Sequence, residues 1–230
     1  MTTFALIHGA WHGAWCWSLL EPELQARGHA TISMDLPAED PTASLSTYAQ
    51  VVLDAIPDGA GDDIVAVGHS LGALVVPLVA AARPVATQVF LCGIAPNLHG
   101  SPWADAPPMA APDIHLPEIH DDGSSSWTDL TSATAAFYGD CPPDVAAWAF
   151  DHLRRQHMAG LGGPYPLDAL PGGRCAAIVG ADDPIVTPEF SRTMCRQRLG
   201  GIEPTVLPGG HSPFLARPAA LADVLVGYVD

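Results

Sequence analysis

Hydrophobic and polar positions follow two alternating regimes along the chain. Short apolar runs recur at Phe4-Ala5-Leu6-Ile7, Ile64-Val65-Ala66-Val67 and Cys175-Ala176-Ala177-Ile178-Val179, and stretches of helical periodicity lie between them. A short continuous apolar run bounded by turn residues reads as a strand buried on both faces. The pattern predicts strands at Phe4–His8, Ala30–Asp35, Ile64–Val67, Gln88–Cys92, Arg174–Gly180 and Pro204–Leu207. It predicts helices near Trp15–Arg27 and Ser46–Ile56, one from Ser70, one near Pro188–Leu199 and a C-terminal one to about Tyr228. Regular β and α alternation implies an α/β fold: a mostly parallel sheet of about six strands with helices on both faces. Pro77 sits badly in this pattern. Inside a helix that starts at Ser70, it should remove a hydrogen bond and kink the axis.

Between about Asn97 and Ala169 the alternation stops. This stretch is rich in Pro, Asp, Ser and aromatics, with helical periodicity only near Trp127–Phe137 and Pro143–Arg155. An insertion between two sheet strands would sit over their carboxyl ends, where sites of open α/β sheets lie. The expected organisation is a core of residues 1–96 and 170–230 and a helical cap, or lid, at 97–169. Trp103, Trp127, Phe137, Tyr138, Trp148 and Tyr165 are expected in that cap, either lining a pocket or forming the cap's own small core.

The apolar run at Ile64 leads into Gly68-His69-Ser70-Leu71-Gly72, and a second run follows. A strand turning sharply into a helix at G-x-S-x-G is a nucleophile elbow, which pushes the serine hydroxyl out of the backbone. A reactive serine needs a base, a group to orient that base, and oxyanion donors. Acids follow the strand at Arg174, in Ala181-Asp182-Asp183-Pro184, and a histidine follows the next, in Pro208-Gly209-Gly210-His211. Ser, then Asp, then His is the chain order of such triads on an α/β sheet. The first strand ends in His8-Gly9-Ala10, where a second backbone oxyanion donor belongs. Serine also caps helix N-termini, and a lone histidine also packs in loops. Four features at strand ends in the right order favour the catalytic reading.

Composition narrows the partners. The formal net charge of −16 disfavours nucleic acid and anionic membranes. All nine basic residues are arginine. The absence of lysine excludes Schiff-base chemistry, a Walker A phosphate loop and a lysine base. Cys16, Cys92, Cys141, Cys175 and Cys195 are scattered without C-x-x-C spacing and read as reduced, packed thiols. The longest apolar run, Ala73 to Ala82, is interrupted by Pro77 and too short to span a bilayer. No basic start or cleavage site precedes the first strand. A cytoplasmic protein is expected, with a small-molecule partner, no nucleic acid and no membrane; a homodimer is left open.

Several segments resemble the plant-type esterase and hydroxynitrile lyase group of the α/β-hydrolase superfamily, which includes methyl salicylate esterase-like proteins and bacterial relatives. The most specific is His8-Gly9-Ala10-Trp11-His12-Gly13-Ala14-Trp15-Cys16-Trp17. Gly28-His29-Ala30, Met34-Asp35-Leu36-Pro37, the elbow, Asp183 with Pro188-Glu189-Phe190 behind it, and Gly209-Gly210-His211 also match. The resemblance covers the core and is weak over the cap. It implies Ser70 as nucleophile, His211 as base, Asp183 rather than Asp182 as orienter, and the N–H groups of Ala10 and Leu71 as the oxyanion hole. It implies no cofactor. The lyase branch uses a hydroxyl residue in the oxyanion loop and a lysine after the catalytic histidine. Ala10 and Ser212 stand at those positions, so the chain resembles the esterase branch.

The expected activity is cleavage of a small-molecule ester through a Ser-His-Asp triad and an acyl-enzyme. A lactonase, an amidase or a C–C hydrolase on the same triad, and a non-catalytic binding protein of the same fold, are the alternatives. His12, Trp127 and Phe214 are expected at the substrate pocket. No metal is expected: His8 and His12 fall on a strand-to-loop segment, and His115, His120, Asp121 and Asp122 fall in an irregular region, so solvated loop residues are the reading for both sets, except that His12 reads rather as lining the pocket or ordering the oxyanion loop.

Overall fold

The computed structural model describes residues 1–61, 63–104 and 108–229. Six parallel strands form the central sheet: β1 (Thr3–Ile7), β2 (Ala30–Ser33), β3 (Ile64–His69), β4 (Thr87–Leu91), β8 (Arg174–Gly180) and β9 (Thr205–Leu207), in the order β2-β1-β3-β4-β8-β9. Alternate side chains go to opposite faces. Phe4, Leu6, Val65, Val67, Val89 and Leu91 pack into one core cluster, and Ala5, Ile7, Ile64 and Ala66 into another. Helices α1 (Leu20–Ala26) and α8 (Pro218–Val226) cover the first face. Helices α2 (Leu45–Ala55), α3 (Val76–Ala82) and α6 (Pro188–Arg198) cover the other. Burial on both sides explains why these strands are apolar throughout rather than alternating.

The chain does not run from Ser70 into one continuous helix. A 3₁₀ turn spans Ser70–Leu74, the axis restarts at Val76, and Pro77 falls in the first turn of α3. There its missing N–H has no partner to lose. The proline that the continuous helix could not accommodate is what separates the elbow from α3.

The segment between β4 and β8 is not purely helical. It holds a three-stranded antiparallel sheet, β5 (Glu118–Ile119), β6 (Ser124–Ser126) and β7 (Gln156–His157), beside α4 (Leu130–Ala133), a π-helical turn at Thr134–Tyr138 and α5 (Pro143–Asp151). Strands this short, one of them three serines, leave no hydrophobic period to read. Hydrogen bonds tie the segment to loops at the carboxyl ends of the core strands. Arg154 N–H donates to the Trp11 carbonyl (2.7 Å), His157 N–H to that of Ala38 (2.8 Å), and the Tyr165 hydroxyl to that of Leu74 (2.7 Å). The remaining short helix, α7 (Pro213–Ala216), follows the His211 loop.

Candidate active site

Three non-glycine residues among those described adopt positive φ: Trp11 (61°), Ser70 (52°) and Cys92 (43°). They stand just past the ends of β1, β3 and β4, neighbours in the sheet. Such strained positions persist only where surrounding packing enforces them, and they cluster at functional sites. At the elbow that packing is tight. A Cβ on Gly68 would come within 2.5 Å of Ala73 Cα, and one on Gly72 within 2.4 Å of the His8 carbonyl oxygen. Neither position accepts a side chain, which is the steric content of the G-x-S-x-G spacing.

Asp183 and His211 meet in the interior, 2% and 1% exposed. His211 Nδ1–H donates to Asp183 Oδ2 (2.8 Å) and approaches Oδ1 at 3.0 Å. Oδ1 also accepts from the N–H groups of Ile185 and Val186, both at 2.9 Å, which fixes the carboxylate after Pro184. Asp182 is exposed; its backbone N–H donates to the Gly209 carbonyl (2.9 Å), and its side chain does not meet the imidazole. The glycine pair before His211 lies against the Asp140–Arg217 ion pair.

Ser70 opens into a cavity of about 130 Å³ with Ala10, Trp11, Leu71, Trp103 and Trp127 in its walls. Of the side chains expected there, Trp127 lines this cavity, and His12 and Phe214 do not. Phe214 is fully buried against Trp17 and His69. His12 lies under the loop after β1, with Nδ1–H donating to the Ala10 carbonyl (2.8 Å) and Nε2 accepting from the Tyr138 hydroxyl (2.9 Å). A second cavity of about 310 Å³ is lined by Phe137, Asp140, Asp182 and His211.

His8 and His12 are also not solvated loop residues: each is 1% exposed. The His8 ring uses both nitrogens, Nδ1–H to the Gly9 carbonyl (2.8 Å) and Nε2 accepting from Leu36 N–H (2.9 Å). In the inserted segment His115 is exposed, while His120 Nε2 meets the Ser126 hydroxyl (2.8 Å). Among the described residues, the potential metal-ligating groups that converge are Cys92, Asp183 and His211, whose ligand atoms lie within 4.8 Å of one another. In the sequence Cys92 is simply the apolar end of a strand and one of five scattered thiols. Burial, then the Asp183 charge, pushes its thiol up, so it stays protonated beside the carboxylate.

Burial pulls His8 down to about 4 and His12 down to about 3. It also takes His69 well below the ordinary histidine range, with the nearby His211 charge adding to the effect. In the unfolded chain these rings titrate near about 6.5. Below that pH the unfolded chain binds protons that the folded one refuses, so stability falls as pH drops toward the folded values. Going from about pH 6.5 to about pH 5 is expected to cost about 2 kcal/mol for each of His8 and His12. The urea midpoint should therefore fall sharply between those pH values; an unchanged midpoint would show that the rings take up protons while folded.

The alpha/beta hydrolase family model matches residues 4–224. The chain belongs to that family. It is 26% identical to a pyrethroid hydrolase of Sphingobium wenxiniae, across 100% of this chain and 88% of the relative. It is 27% identical to the esterase PIR7B of Oryza sativa subsp. japonica, across 97% of this chain and 94% of that one. Among solved structures, a pyrethroid hydrolase superposes with a TM-score of 0.82 at 23% identity, covering 99% of this chain and 97% of the other; that likeness concerns the fold. No helix among the described residues is long and apolar enough to cross a membrane.

Proposed function

We propose that this α/β-hydrolase is a serine carboxylesterase acting on small-molecule esters, with Ser70 as nucleophile, His211 as general base and Asp183 as its orienter. The observation that carries the reading is the buried His211–Asp183 pair, made through Nδ1, which leaves Nε2 for proton transfer. Relatives along the full chain that are named as an esterase and a pyrethroid hydrolase support ester hydrolysis.

Ser70 Oγ attacks the ester carbonyl carbon as its proton passes to His211 Nε2, and Asp183 stabilises the imidazolium. The oxyanion is received by the N–H groups of Ala10 and Leu71, both at the cavity beside Ser70. The C–O bond breaks, and the alcohol leaves with the proton from His211. Water then attacks the acyl group, gives its proton to His211, and the acid departs as Ser70 recovers that proton. The 97–169 segment acts as the cap: it supplies Trp103 and Trp127 to the cavity. Five free thiols suit a reducing cytoplasm.

Incubation with a fluorophosphonate ester tests the reading. One adduct per chain is expected, mapped to Ser70 by peptide mass analysis. A folded protein that takes no label would favour a non-catalytic binding protein of the same fold.

A further inference from the structure

Two successive peptides of the loop after β1 are each gripped by a buried histidine. His8 Nδ1–H donates to the Gly9 carbonyl (2.8 Å), and His12 Nδ1–H to the Ala10 carbonyl (2.8 Å). A trans peptide is planar, so fixing its C=O fixes the opposed N–H. The Gly9 carbonyl shares its peptide with the Ala10 N–H, and the Ala10 carbonyl shares its own with the Trp11 N–H. The two carbonyls can only accept, which commits each ring to the Nδ1–H tautomer and leaves Nε2 to take a donor from a distant element. Leu36 N–H, after β2, meets His8 Nε2 (2.9 Å), and the Tyr138 hydroxyl, in the π-helical turn of the inserted segment, meets His12 Nε2 (2.9 Å). Both imidazoles are 1% exposed and Tyr138 is fully buried, so water does not compete for these bonds. The grip has something to hold: Trp11 sits at φ 61°, which a tryptophan does not favour on its own.

We propose that His8 and His12 are positioning residues of the oxyanion loop: His8 aims the peptide that carries the Ala10 N–H, and His12, its ring held by the Tyr138 hydroxyl, fixes the next peptide of Ala10 and so ties the orientation of that residue to the inserted segment. The pair differs from His211 in kind. It neither touches substrate nor moves a proton; each ring acts as a neutral bracket between a loop carbonyl and a remote donor. The inference rests on Ser70 as the nucleophile whose oxyanion the loop receives.

The test compares Tyr138→Phe, His12→Asn and His12→Phe in the full chain. Tyr138→Phe deletes one hydroxyl. His12→Asn keeps an N–H near the Nδ1 position, and His12→Phe keeps only a ring. Expected for Tyr138→Phe is a fall in kcat of about tenfold on a p-nitrophenyl ester with KM within about twofold. The affinity of an alkyl boronic acid, which forms a tetrahedral adduct on the serine, should weaken by the same factor. His12→Phe should lose more, about a hundredfold, and His12→Asn should recover most of that loss. Nitrogen-15 NMR of the wild type should show His12 protonated on Nδ1 alone and should change in Tyr138→Phe. Unchanged kcat and boronate affinity in a Tyr138→Phe protein would overturn the proposal. So would a lowered melting temperature with catalytic parameters intact, which marks a purely structural bond. If Ser70 takes neither fluorophosphonate nor boronate, the esterase reading has failed. If Ser70 is labelled and Tyr138→Phe is silent, only this inference has failed.

Discussion

Ser70→Ala is expected to lose about a millionfold in kcat on any ester the wild type cleaves, in a protein that folds as before. Ser70 lines the cavity, and among the described residues no hydrogen bond from its hydroxyl holds the fold. The backbone strain at φ 52° is borne equally by serine and alanine, so the substitution neither relieves nor adds to it. On the proposed mechanism, what disappears is the atom that would form the acyl-enzyme and give its proton to His211. The oxyanion donors and the apolar wall remain, and they retain only the residual catalysis that binding alone gives. The checks are turnover of the purified variant and its circular dichroism spectrum. A folded Ser70→Ala protein with a tenth of wild-type turnover would remove the serine mechanism.

The second large effect is expected at Asp183. Asparagine there keeps one oxygen to accept from the Ile185 and Val186 N–H groups, so the turn stays in place. It then presents its NH₂ to His211 Nδ1, where the carboxylate had accepted a hydrogen bond. Two donors cannot share that contact, so the imidazole moves its proton to Nε2, the nitrogen that must be free to take the serine proton. The loss should be about ten-thousandfold near neutral pH. Asp182→Asn should stay within about tenfold of wild type, because that side chain is exposed and its contribution to the loop is a backbone bond to Gly209. Turnover of the two variants side by side decides the matter. A dead Asp182→Asn with an active Asp183→Asn would move the orienter by one residue.

Most of the core was legible because its strands are buried on both faces and its chemistry sits where strands end. Arg174–Gly180 is a strand as the pattern predicts, and the elbow, the Asp183 turn and the His211 loop follow their strands as spacing required. Asp183 and His211 come together although the residues alone left two acids in play. The parts that stayed hidden depend on long-range partners. His12 reads as lining the pocket or ordering the oxyanion loop, and what no local pattern shows is the partner at its Nε2, Tyr138, more than a hundred positions away. Phe214 reads as a pocket residue, and its contacts with Trp17 and His69 put it in the core instead. The small sheet at β5 to β7 is built from two- and three-residue strands, shorter than any period that hydrophobicity can express. The break after Leu74 turned on which side of a helix start Pro77 would fall, a matter of two residues.

The strand order has a consequence for biosynthesis. By the time Leu91 has been made, β2, β1, β3 and β4 can lie side by side as a contiguous half-sheet, already carrying the serine. The strand that must cover the free edge of β4 begins only at Arg174. At ordinary translation speeds the ribosome needs on the order of ten seconds to make the intervening residues. Throughout that interval β4 presents an unpaired apolar edge, the kind that invites wrong pairing with other chains. Asp183 and His211 arrive later still, after β8, which closes that edge, and after β9, which pairs with β8. On the proposed mechanism a nascent chain therefore holds its nucleophile without a base, and the completion of the sheet and the arming of the serine are one event.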